Sequence, residues 1–385
     1  MKKQLTLIFS TFSLVCAAQS VNLIVHNKLK CDRQEILSVP VEKISSILTN
    51  HPKEHLRIIS KGITSLIPMQ WVDNDSDGIF DELLFEVKIP GKSKLAYVIT
   101  VDSSSTSSTP SATFCRFVPE RSDDFAWEND KVAFRVYGPK GQTEASRGVA
   151  GSTLSSGIDI WLKRVSYPII NKWYQKNVES PGYYHIDHGE GYDPYHVGGS
   201  RGTGGTGIWQ NDSLYVSKNF ADYKIITVGP LRAIFELKYA AYGKTSVTET
   251  KRISLDKGSN FSKIEVSLNQ KISNFAVGIS LHQNKGQIKS DAKKGTFRHW
   301  EAIDDSFVGE GIVMNPLNFS AAFDRISKTP DQSNLLIILK PDRKFTYFAG
   351  FAWQKSDQVS SASDWDQLLE RQALIIANPL EITFK

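Results

Sequence analysis

The chain has 385 residues, 40% of them hydrophobic, which is ample to bury a sizeable core in one large domain or two. Its 46 basic and 41 acidic residues are interspersed and leave a net charge of +5, so the basic blocks of a nucleic-acid binder are missing, while an anionic substrate is compatible. Beyond the first twenty residues no apolar run approaches the ~18 residues that cross a bilayer, so no membrane partner is expected.

At the start, Lys2 and Lys3 precede an apolar run from Leu5 to Val15, and small residues at Cys16 and Ala18 occupy the positions read by signal peptidase. Residues 1–18 therefore read as a cleaved export signal, with the mature chain starting at Gln19 and working in the periplasm or outside the cell. Val15 before Cys16 argues against a lipid anchor. The remaining cysteines, Cys31 and Cys115, read as unpaired thiols rather than a disulfide, because so long a chain has enough core without a staple.

Runs rich in Val, Ile, Phe and Tyr then recur between turn residues: Val21–Val25, Leu83–Ile89, Leu95–Val101, Lys131–Tyr137, Ala233–Tyr239, Lys263–Leu268, Phe275–Leu281 and Leu335–Leu339. This pattern predicts a mainly β protein: a small N-terminal β-sandwich over residues 19–102, a Ser/Thr-rich linker at 103–113, and a large antiparallel β-sandwich over 114–385. Helices are expected only at Val41–Thr49 and at Ser363–Gln372, the latter capped by Ser363.

Within the first unit, Asp73, Asp75, Asp77, Gly78, Asp81 and Glu82 form the string D-N-D-S-D-G-I-F-D-E. Alternate carboxylates on a tight turn converge on a hard cation, so Asp73, Asp75, Asp77, the Ile79 carbonyl and Asp81 are expected to hold a structural calcium ion. The turn departs from an EF-hand, because Leu84 stands where the closing glutamate would be and strand-like sequence follows.

The segment Tyr183–Trp209 reads as a long irregular loop, with eight glycines among Tyr184, His185, Asp187, His188, Glu190, Asp193, Tyr195, His196 and Arg201. Imidazoles that titrate near neutrality, a phenol and a guanidinium suit acid/base chemistry on a sugar acid. His185, His188, Tyr195 and Arg201 are therefore the expected catalytic residues, and Trp161, Lys163, Trp209 and His282 the expected substrate-binding ones. Zinc on His185 and His188, or a purely structural polar loop, are the competing readings of the same segment. Phosphate-loop and nucleophile-elbow spacings are not met.

The strings Y-H-I-D-H-G-E-G-Y-D-P-Y-H-V-G, G-I-D-I-W-L-K-R-V and Y-F-A-G-F-A-W-Q, with the acidic turn and Trp365, resemble a family of secreted bacterial proteins long carried as a domain of unknown function. Its members sit among polysaccharide-degradation proteins, and one is an oligosaccharide dehydratase of ulvan breakdown. The resemblance implies a large supersandwich of mutarotase type that removes water from a terminal uronic acid to leave a 4,5-unsaturated sugar. An acidic oligosaccharide would be the substrate, with no catalytic cofactor and no obligate protein partner. A polysaccharide lyase using the same proton abstraction, or a non-catalytic carbohydrate-binding protein, are the alternatives.

Overall fold

The structure, a computed structural model, describes residues 20–49, 51–60, 66–102 and 109–385. The expected export signal and most of the expected linker lie outside these residues. Among the described residues no helix is long and apolar enough to cross a membrane.

The protein is mainly β, with antiparallel sheets and few helices. In the first unit, Ser20–His26 alternates strictly, sending Val21, Leu23 and Val25 inward. It lies beside Lys94–Val101 in a four-stranded sheet that faces a three-stranded one built on Arg33–Pro40, Glu82–Ile89 and Met69–Val72. The core between them is Leu23, Val25, Val39, Leu83, Phe85, Val87 and Ile99. The expected boundary gave everything after residue 114 to the large sandwich, but the last strand, Glu381–Phe384, pairs with Ser20–His26. Leu380, Ile382 and Phe384 pack on the small core, so the chain returns to close the sheet it began.

The large unit stacks an eight-stranded sheet, Phe220–Thr227 to Asp342–Trp353, against two five-stranded sheets. One of these carries Asp124–Glu128, Ala133–Val136 and Asp159–Lys163; the other carries Thr203–Gln210, Phe275–Ser280 and Asn334–Leu339. The units are joined through Gln70, which donates to the Arg232 carbonyl at 2.7 Å and accepts from the Leu231 amide at 2.9 Å.

Two local expectations need correction. The segment 41–49 forms only a 3₁₀ turn, Val41–Lys43, and a four-residue helix, Ser45–Leu48. The late helix runs from Ala362 to Ala377 and is capped by Ser361, whose hydroxyl accepts from the Asp364 amide, not by Ser363. That helix lies directly on strand Ser306–Met314, because a Cβ on Gly309 or Gly311 would come within 2.5 Å of Trp365 and Leu369 respectively. Cys31 and Cys115 are unpaired, and burial pushes the Cys115 thiol up to about 12.

Candidate active site

The irregular segment divides, and only its first part faces a cleft. Helix Ile170–Glu179 ends before Gly182, whose φ of +90° turns the chain into the 3₁₀ turn Tyr183–His185. The Asp193 amide bonds the Tyr184 carbonyl at 2.7 Å, and the Asp193 carbonyl takes His185 Nδ1 at 2.7 Å. A ring nitrogen that meets a carbonyl must carry the proton, so Nδ1 is the donor and, in the neutral ring, Nε2 holds the lone pair. His185 is more than half exposed, and Nε2 has no hydrogen-bond partner among the described residues.

Beside it, Tyr184 is buried edge-on to His185, ring centroids 4.6 Å apart, with Trp161 on its other side. Its hydroxyl accepts from Arg121 Nε at 3.2 Å, while Arg121 Nη2 donates to the Gly151 carbonyl at 3.0 Å. Among the described residues Nη1 of Arg121 makes no hydrogen bond. The turn after Arg121 holds two consecutive non-glycine residues with positive φ, Ser122 at +52° and Asp123 at +64°, a strained backbone of the kind that positions functional side chains. Arg121, Tyr184, His185, Asn177, Ser122 and Glu144 line a cleft of about 300 Å³, the size of a small-molecule site. A depression of about 430 Å³ at Gln354, Asp357, Val359 and Asp364 has no histidine, phenol or cation in its lining, and the carboxylate of Asp364 is committed to Ser360.

Behind the cleft lies a buried ionic cluster. Arg135 Nη2 meets Asp159 at 2.5 Å and Asp193 at 2.8 Å, and Nη1 lies 3.9 Å from Asp124. Burial opposes the charge on Arg135, but Asp159 and Asp193 hold its pKa well above the usual value. Burial raises all three carboxylates, Asp124 to about 7 against the pull of Arg135 and Arg121. Three acids share two guanidiniums here, so the cluster retains a proton near neutral pH.

The second part of the segment enters the sandwich. Residues Thr203–Gln210 are a strand, contrary to the expected loop, and Gly204 is required because a Cβ there would stand 2.5 Å from that of Ala349. Tyr195 is buried, its hydroxyl donating to Glu310 Oε1, which also accepts from Thr203 Oγ1 at 2.7 Å. His282 stacks edge-on to Tyr195 and places Nδ1 2.6 Å from Glu301.

Residues 25–382 match the family described as domain of unknown function (DUF4861). The chain belongs to that family. This DUF4861 protein is 43% identical over 326 residues to a protein of Formosa agariphila described as uncharacterized protein P7, covering 83% of this chain and 82% of that one. Its fold is similar to that of an Enterococcus faecalis protein in glycosyl hydrolase family 38, with TM-score 0.50, 9% identity and 95% of this chain covered. An alpha-mannosidase of Enterococcus faecalis aligns at TM-score 0.44 and 8% identity, again over 95% of this chain. The DUF4861 chain spans about half the length of each of these two structures, 47% and 46%, and at such identity the first likeness concerns the fold alone.

Of the expected site residues in this DUF4861 chain, only His185 lines the cleft. His188 is exposed and stacks on Tyr183. Arg201 is a correction: it is buried against Gly278 and donates to Ser156 Oγ at 2.9 Å, and burial lowers its pKa to about 10. Trp161 and Lys163 are corrections too, since both are buried. Trp161 packs on Trp173 and Tyr184; Lys163 is spent on Glu128 at 2.7 Å and the carbonyls of Asn129 and Tyr167. Trp209 packs on Phe323, away from the cleft. The sequence reading missed Arg121 and the Arg135 cluster. The available signal was a charge inside an apolar strand, F-R-V at 134–136 and I-D-I at 158–160.

Among the calcium ligands, carboxylate oxygens of Asp73, Asp75 and Asp81 lie within 4.8 Å of one another. Asp77 instead accepts from the Ile79 amide at 2.7 Å, and Asp73 takes the Ser76 and Gly78 amides, which lower its pKa against the effect of desolvation.

Proposed function

We propose that the protein is an exported dehydratase that removes water from the terminal uronic acid of an acidic oligosaccharide, of the kind found in ulvan, within the Arg121–Tyr184–His185 cleft. The observation that carries this reading is His185, whose Nδ1 is committed to the Asp193 carbonyl while Nε2 has no partner among the described residues, and which lines one cleft with a phenol and a guanidinium. Elimination needs three acts: neutralising the carboxylate, removing the proton at C5, and protonating the hydroxyl that leaves C4. Arg121 meets the carboxylate, which makes the C5 proton more acidic. His185 Nε2 takes that proton, the C5–H electrons form the C4–C5 double bond, and the C4–O bond breaks as Tyr184 delivers its proton. Water departs; the imidazolium then releases a proton to solvent and the tyrosinate regains one. A cleft that holds little more than one sugar ring suits action at a chain end.

The test incubates the chain with uronic-acid oligosaccharides and follows the ultraviolet absorbance of the unsaturated acid together with product mass. Loss of one water without shortening supports dehydration; shortening makes the protein a lyase. His185→Ala and Tyr184→Phe should each lower kcat by about 10²–10⁴-fold. Tyr195→Phe should leave kcat within a few fold, because that hydroxyl serves Glu310. Unchanged turnover in both cleft variants removes the assignment. For the acidic turn, we propose calcium as the occupant, on the convergence of Asp73, Asp75 and Asp81.

A further inference from the structure

We propose that His282, Glu301 and Glu310 bind a divalent transition-metal ion of the zinc or manganese class at the edge of the large sandwich. One ring nitrogen of His282 and one oxygen from each glutamate lie within 4.8 Å of one another. One imidazole and two carboxylates are the ligand set that such ions take while keeping coordination positions for water or substrate.

The fold brings these groups together from two sheets. Thr296–Ile303 and Ser306–Met314 are neighbours, with His299 directly across from Glu310, so His299, Glu301 and Glu310 share a face. His282 follows strand Phe275–Ser280 of the opposing sheet and takes a φ of +42°, uncommon outside glycine, which turns the ring toward Glu301. Its Nε2 donates to the His196 carbonyl at 2.8 Å, and Nδ1 donates to Glu301 at 2.6 Å, a proton that an incoming ion would displace to bind between the two groups. A metal-binding histidine is oriented in this way, by a carbonyl on the ring nitrogen that does not ligate.

The surroundings are organised for a cation. Glu310 is fully buried, yet its hydrogen-bond partners, Tyr195, Thr203 and His299, are neutral donors or a histidine. Among the described residues no lysine or arginine pairs with Glu301 or Glu310, unlike the carboxylates around Arg135. His299, also fully buried, puts Nδ1 3.4 Å from Glu310 and 3.9 Å from Glu301, and its Nε2 lacks a hydrogen-bond partner. It supports the two carboxylates from behind. His282 and Glu301 retain 17% and 11% side-chain exposure, enough for an ion to enter.

The full chain, stripped with chelator, is dialysed separately against Zn²⁺, Mn²⁺ and Ca²⁺, and metal per chain and melting temperature are measured. One zinc or manganese per chain with a raised melting temperature is expected. Glu301→Gln and His282→Ala should each weaken binding by at least about tenfold, while Asp75→Asn leaves it unchanged. Failure of the unaltered chain to retain zinc or manganese, or uptake of calcium alone, overturns the site. So does unchanged affinity in both variants. If either variant does not fold, the stoichiometry and melting shift of the unaltered chain decide. Since the readout is metal content, the result stands apart from whether the cleft dehydrates sugars.

Discussion

The cluster around Arg135 and the cluster around Glu310 both hold carboxylates inside the large unit, yet they balance them differently. Asp124, Asp159 and Asp193 surround a guanidinium that is itself packed on Trp161, Tyr137 and Tyr184, with Arg121 beyond. Glu301 and Glu310 have only imidazoles and hydroxyls. The first arrangement supplies its own counter-charge and is suited to fixing the walls of a cleft. In the second, burial works against a charge on His282 but Glu301 raises its pKa to about 9, so His282 meets one of the two carboxylates and the other is left to be met from solution. Buried acids therefore do not announce one role; the identity of the neighbouring cation decides it.

The sharpest way to break this contrast is to remove the fixed cation. Arg135→Met leaves three buried acids without their main partner and should cost about 3–5 kcal/mol of stability, measured by urea unfolding at neutral pH. A loss below about 1 kcal/mol would mean that the cluster's charge is carried elsewhere, since that is the range of exposed pairs.

A smaller effect distinguishes the shared proton. Asp124 has a folded pKa of about 7, above its unfolded value of about 3.9, so the native state binds the extra proton between these limits. Stability from this group is complete below about pH 4 and declines as pH rises through about 7, with a slope of at most about 1.4 kcal/mol per pH unit. Asp124→Asn cannot titrate. Its stability relative to the unaltered chain should therefore rise between pH 4 and 7.5, and a flat difference would place the proton on another member of the cluster.

The smallest effect belongs to the solvent-side acids of the turn at 73–82, which can be saturated by an ion without distorting a core. Calcium at about 100 times its Kd should add about 2.7 kcal/mol of stability, and Asp75→Asn should abolish the accompanying rise in melting temperature. Equal melting with calcium and with chelator would leave the turn as a set of side-chain to backbone hydrogen bonds.

How much of this was legible in the sequence depends on the range of the interaction. Strands such as Ser20–His26 and Glu82–Ile89 follow from alternation, a local property, and were placed to within a residue or two. The density of polar groups at 183–201 marked a functional segment, but it could not reveal that the chain parts near Pro194, sending His185 to a cleft and Tyr195 into the sandwich. Arg121 meets Tyr184 across 63 residues, and Glu310 meets Tyr195 across 115. Partners at that separation are chosen by topology, which local pattern does not encode. The late helix was visible from Trp365, Leu368 and Leu369, whereas the need for Gly309 and Gly311 beneath it was not.

The return of Glu381–Phe384 to the first sheet bears on the order in which the molecule is made. His26 faces a partner 355 residues later, so the small sandwich cannot complete its sheet while the ribosome is still translating the large one. Such a contact carries the slowest kind of search in folding, and its absence exposes a strand edge that invites association with other chains. The small unit is thus closed by the end of the chain, and a chain cut short before residue 380 would present that open edge to other chains.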